Sequence, residues 1–254
     1  MIALVALVVS QTAPTPIQVP PAPPPILVAR SPTIISAARK AGGLEIARRL
    51  NSVASVDLMM TRMIDKDLPA TFLKAPGIAE IEQENPGFVK AIVTAIEPLM
   101  RSSLTAELPT LWNTLGALYA ETLNEQEIDA ALAFYASPTG VWLLDQISKG
   151  MDFGPMLQGY VRDPDLKIGA DDVKKLLGTS VDEVRAGMTP ERSAAIMAFA
   201  RTSAGRKVIA LQPQIFKLAA DWSNRPDPAL DAQVEKLTEE AAAAFLAKAK
   251  RSKK

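Results

Sequence analysis

The sequence has no cysteine and no histidine. Serine–histidine and cysteine–histidine catalysis therefore lose their general base, and zinc sites of the Cys/His kind are excluded. Chemistry is left to carboxylates, lysines, tyrosines or a serine with an unusual partner. Aromatic residues are scarce, at 5% of 254. Net charge is zero, with 28 basic and 28 acidic side chains, so no global field draws the chain to nucleic acid or to an anionic membrane. The apolar run "MIALVALVVS" at positions 1–10 is far too short to span a bilayer.

What is present points to helices. The chain is 48% hydrophobic and 22% charged, as folded globular proteins are. Alanine, leucine and methionine carry the apolar content, and all three are good helix formers. The expected fold is all-α, a multi-helix bundle. Residues 1–10 read as a signal peptide, with Val8 and Ser10 at the −3 and −1 positions of a cleavage site. The basic n-region is missing, so either the start is set too far downstream or the signal is weak. Residues 11–30, "QTAPTPIQVPPAPPPILVAR", form a proline-rich linker of extended type. The helical domain is expected over 31–250.

Ser31 caps and Pro32 opens the first predicted helix. Ile46, Leu50, Val53, Val56, Met60 and Met63 follow three-and-four spacing and predict one buried stripe. Gly42 and Gly43 read as a kink or a junction of two helices, and Pro69 closes the segment. In the stretch from Asn85 to Leu123, Pro98 and Pro109 predict two or three shorter helices.

The stretch "LNEQEIDAALAFYASPTGVWLLDQ" from Leu123 aligns without gaps to "MTPERSAAIMAFARTSAGRKVIAL" from Met188. Ala130, Ala133, Phe134 and Gly140 coincide in type with Ala195, Ala198, Phe199 and Gly205. The pattern predicts a duplicated helix–corner–helix unit, with copies near 123–147 and 188–212. Asn124 and Glu127 have the spacing of a capping box; Thr189 and Pro190 open the second copy. Ser137 ends one helix and caps the next, with Pro138 at its first position. Gly140 stands where two helices diverging from a corner come closest. The predicted role of the break is packing; Ser137 as a nucleophile has no base nearby.

This stretch resembles a bacterial exported family catalogued as domain of unknown function 2059. Its hallmark is an acidic helix start, a phenylalanine–tyrosine pair, then Ser-Pro-x-Gly before an apolar helix. Glu121, Leu123, Glu125, Phe134, Tyr135, Ser137, Pro138 and Gly140 stand at those places. The second copy departs, with Ala200 for the tyrosine and Ser203 for the proline. The resemblance implies an all-helical exported protein and brings no catalytic residue.

Other candidates have plainer readings. Met59, Met60 and Met63 could bind copper(I), but methionines at helical spacing belong in cores. Asp163, Asp165, Asp171 and Asp172 could offer oxygens to calcium, yet the stretch lacks the glycine and terminal glutamate of a known loop and reads as a solvated linker. Glu121 and Glu125, beside Tyr119 and Tyr135, are the best carboxylate grouping for a glycosidase-type reaction. The basic tail at 248–254 suits a helix C-terminus or a weak contact with a membrane surface. No cofactor or metal is indicated. The expected role is a non-catalytic periplasmic or secreted protein that binds a partner protein or an apolar ligand, with a carboxylate-based hydrolase of cell-wall sugar as the alternative.

Overall fold

The computed structural model describes residues 35–163 and 165–252, and every regular element within them is a helix. The all-α expectation holds. The predicted signal segment, the proline-rich linker and the Ser31–Pro32 helix start lie outside the described residues. No helix among the described residues is long and apolar enough to cross a membrane.

The molecule is arranged around one long helix, α5. Helices α1 (Ala37–Leu50), α2 (Val53–Arg62), α3 (Leu68–Phe72) and α4 (Ile78–Glu84) precede it, with a π-helical turn (Met63–Asp67) between α2 and α3. Helix α5 (Phe88–Thr122) runs for 35 residues through both Pro98 and Pro109, against the expectation of two or three shorter helices. Each proline removes the hydrogen bond to the carbonyl four residues back. Those carbonyls belong to Thr94 and Thr105, both exposed, where water can take the vacant place. Burial of Ile92, Val93 and Ile96 on one side and Leu108, Leu115 and Tyr119 on the other holds the helix together across the gaps. Its start is capped by Glu82, whose carboxylate accepts the N–H groups of Gly87 and Val89, each at 2.8 Å.

Helix α1 begins where Ser36 accepts the Arg39 N–H at 3.1 Å. It passes unbroken through Gly42 and Gly43, so the glycines make neither a kink nor a junction. They allow close approach instead. A Cβ on Gly43 would stand 2.4 Å from the Gly116 carbonyl oxygen, and one on Gly116 would stand 2.8 Å from the Leu44 Cα. The α1 and α5 backbones therefore touch. Arg39 secures the pair by donating to the carbonyls of Leu123 at 2.9 Å and Ala120 at 2.6 Å, which α5 leaves unpaired at its end.

The predicted stripe from Ile46 to Met63 does not face one core. Ser52 caps a new helix and accepts the Ser55 N–H at 3.1 Å. Val53 is consequently 53% exposed. Ile46 and Leu50 enter one apolar cluster, whereas Met60 and Met63 enter another. Pro69 does not close the segment either; the helical run continues past it to Phe72.

The remaining helices are α6 (Glu125–Ala136), α7 (Pro138–Gly150), α8 (Gly154–Arg162), α9 (Ala170–Leu176), α10 (Gly178–Ala186), α11 (Pro190–Arg201), α12 (Ser203–Ala210), α13 (Gln212–Ser223) and α14 (Pro228–Ser252). The first cluster joins α1, the C-terminal part of α5, α6, α7 and α10 to α13. The second joins α2, the π turn, the N-terminal part of α5 and α9. Helix α14 lies on α5, with Phe245 edge-on to Phe88 at 6.0 Å.

The glycine contact predicts a sharp asymmetry. Gly43→Ala should lower stability by about 1–3 kcal/mol, the usual range for overpacking, because backbone atoms cannot swing aside. Gly178→Ala meets no neighbouring atom within 4 Å and should be neutral or mildly stabilising. Urea unfolding of the two variants measures both; equal effects would refute the close-approach role.

Candidate functional site

Two regions merit comparison: the corners that the sequence singles out, and a cleft that it does not.

The first corner is held by its own hydroxyl. Ser137 donates to the Phe134 carbonyl at 2.7 Å and accepts the Gly140 N–H at 3.1 Å. The second corner has the same geometry: Thr202 donates to the Phe199 carbonyl at 2.7 Å and accepts the Gly205 N–H at 3.0 Å. Ser137 and Thr202 share φ −69°, with ψ 158° and 162°. A Cβ on Gly140 would fall 2.1 Å from the Phe134 carbonyl oxygen, and one on Gly205 would fall 2.1 Å from that of Phe199. Pro138 takes the first position of α7. Both faces of the Ser137 hydroxyl are thus occupied by backbone, as a cap requires.

The corners meet through their aromatic residues. Phe134 and Phe199 stack with centroids 4.2 Å apart and planes 1° apart. Tyr135 stands edge-on to both rings, at 5.3 Å and 5.8 Å. Tyr119 and Tyr135 are buried completely or nearly so, and their hydroxyls have no partner among the described residues. Burial raises the pKa of both phenols.

Glu127 joins the corners electrostatically. It closes the capping box, accepting the Asn124 N–H at 2.8 Å while Asn124 accepts the Glu127 N–H at 2.9 Å. Its carboxylate also takes Lys207 Nζ at 2.6 Å and the Ser203 hydroxyl, both on the second corner. Burial alone would raise the pKa. The hydrogen bonds from Lys207, Ser203 and the Asn124 N–H outweigh it and hold the carboxyl at about 2, against an ordinary 4.5. The capping role is legible in the sequence; the link across 76 and 80 residues is not.

The other sequence candidates do not assemble. Glu121 and Glu125 are exposed, and Glu125 accepts the Ser36 hydroxyl at 2.7 Å, while Tyr119 and Tyr135 turn inward. The Asp172 carboxylate accepts the Gly169 N–H at 3.1 Å and Lys175 Nζ at 2.8 Å. Asp163 accepts the Asp165 N–H at 3.1 Å. No group of three or more Asp or Glu among the described residues is placed to hold a metal ion.

The cleft lies beside the middle of α5. Its main lobe is a cavity of about 450 Å³ and a second lobe measures about 160 Å³; Met59, Leu104, Phe153, Trp222 and Ser223 line both. Five methionines face the main lobe: Met59 and Met60 from α2, Met63 from the π turn, Met100 from α5 and Met156 from α8. The local motif "LMMTRM" thus marks part of a wall that only the fold completes. Asp67 fixes that wall, accepting the Phe153 N–H at 3.1 Å; burial raises the pKa of its carboxyl, a rise this hydrogen bond partly offsets. π-Helical turns recur at functional sites, and this one supplies both Met63 and Asp67. At the rim Arg225 pairs with Glu107 at 2.6 Å and lies 5.6 Å from the Trp222 ring centre. A larger depression of about 770 Å³ between α1, α2 and α7 has charged side chains that are already paired, Arg49 with Glu45 within the wall and Asp145 with Lys149 beside it.

Acid sensitivity tests the link between corners. The folded pKa of Glu127 lies below its unfolded value, so its contribution is complete above about pH 4.5 and fades as pH falls towards about 2. Glu127→Gln should flatten the loss of stability across that window and cost about 1–3 kcal/mol near neutrality. Urea melts over that pH range measure both, and an unchanged acid limb would count against the link.

Residues 113–151 match the family model described as an uncharacterized protein conserved in bacteria (DUF2059). That span runs from the end of α5 through the first corner to the end of α7, and it contains every residue on which the resemblance was drawn. No curated protein and no solved structure matches the chain.

Proposed function

From a likeness centred on the first corner, to a family described without an activity, we propose that this is a non-catalytic protein of the bacterial cell envelope whose methionine-lined cleft holds an apolar ligand. The observation that carries the reading is the cleft itself. A cavity of about 450 Å³ falls within the range of small-molecule sites, and five thioether side chains give it walls that re-pack around varied apolar shapes. An apolar ligand fits such a cavity better than a protein partner does, because the walls are concave. The carboxylate alternative gains no support, since Glu121 and Glu125 are exposed on the protein surface.

Envelope location draws support from the sequence alone, through the apolar run at 1–10 and the proline-rich segment after it. The equal geometry of the corners at Ser137 and Thr202 supports reading the stretches near 123–147 and 188–212 as copies of one duplicated unit.

The ligand reading is tested with a neutral naphthylamine dye that fluoresces in apolar surroundings. The full chain should bind it at one site. Met100→Gln and Met156→Gln, both at partly exposed positions, should each weaken binding about tenfold, or ~1.4 kcal/mol, with melting temperature little changed. Absence of dye binding would overturn the reading. For location, cell fractionation of the untagged full-length chain should recover a shortened form outside the cytoplasm; an intact cytoplasmic form would refute export.

A further inference from the structure

The cleft has a polar side as well as an apolar one. Its rim comes from two neighbouring segments: Ser103 and Glu107, one turn apart on α5, and Ser223, Arg225 and Asp227 at the junction of α13 with α14. The Glu107–Arg225 pair at 2.6 Å joins those segments, and the same cavity is lined by the five methionines. Such a bipartite wall matches an amphiphile. The charges limit its head further. Glu107 and Asp227 outnumber Arg225, whose guanidinium already has a carboxylate partner, so a free anionic head meets a rim that is net negative.

One donor in the wall lacks a partner. The Trp222 indole nitrogen is shielded from water and has no acceptor among the described residues, and its ring lines both lobes. Trp112, by contrast, donates to the Asn51 carbonyl at 2.8 Å. A buried donor without an acceptor costs free energy that a new acceptor recovers. Met59 lines both lobes as Trp222 does, and its unbranched side chain lets the wall re-pack around an occupant.

Building on the ligand reading above, we propose that the occupant is a single-chain amphiphile with an uncharged ester or amide carbonyl head, held by the Trp222 N–H beneath the Glu107–Arg225 rim, with its chain among the methionines. The second lobe adjoins the main one across five shared wall residues.

The test displaces the naphthylamine dye from the full chain with monolauroyl glycerol or with laurate, near neutral pH. Monolauroyl glycerol should displace it at a concentration at least about tenfold lower than laurate does. Trp222→Phe keeps an aromatic wall and removes the donor, and should weaken monolauroyl glycerol about tenfold. In nitrogen-labelled wild-type protein the Trp222 indole N–H resonance should shift downfield with the glyceride and not with laurate, a readout that does not depend on the variant. Equal or tighter binding of laurate, full retention of glyceride affinity in Trp222→Phe, an unmoved resonance, or displacement by neither compound would overturn the proposal. Failure of the dye itself to bind would instead remove the broader ligand reading.

Discussion

The arrangement depends on keeping α5 whole. At 35 residues it spans roughly 50 Å, and both apolar clusters are built on it. Its buried residues fall into two groups, Phe88 to Ile96 and Leu108 to Ala120, with none buried between. That interval lies between Pro98 and Pro109 and carries Met100, Ser103, Leu104 and Glu107 to the cleft. The unbroken helix carries both clusters and presents its middle turns to the cleft.

Each half of α5 is secured differently. The C-terminal half is gripped by α1 at backbone distance through Gly43 and Gly116, a contact that tolerates no side chain. It is extended by the two corners, which lock through stacked rings and through one carboxylate used twice. Glu127 serves its own helix as a cap and the second corner as a counter-ion. Sharing one buried charge between two local structures spares the fold a second desolvation penalty, because each oxygen finds donors. The N-terminal half is covered by α14 through the Phe88–Phe245 contact and the apolar side chains around it.

Methionine suits a cleft set between two such bodies. A wall of branched side chains would hold one shape, whereas thioether chains from four segments adapt at small cost. The Asp67 bond to the Phe153 backbone ties the link that passes both lobes to the π turn. The polar rim, set by Glu107 and Arg225, joins residues 118 apart in the chain and depends on α13 returning to α5.

The sequence alone determined what is local. Helix class followed from composition, the two corners from cap residues, proline and glycine, and the likeness over 113–151 from the motif those residues form. Missing histidine and cysteine excluded whole classes of chemistry without any coordinates. Tertiary structure decided whatever depended on burial over long separations. Pro98 and Pro109 stay inside a helix because packing on both sides outweighs two lost hydrogen bonds. Gly42 and Gly43 make a contact instead of a kink, and the stripe from Ile46 to Met63 divides at Ser52 between two cores. The cleft had no signature beyond "LMMTRM", since Met100, Met156 and Trp222 come from separate helices. Propensity and capping act within a turn or two of helix, so they can be read in order along the chain. Cavities and shared charges arise between distant segments, and only the folded chain brings those segments together.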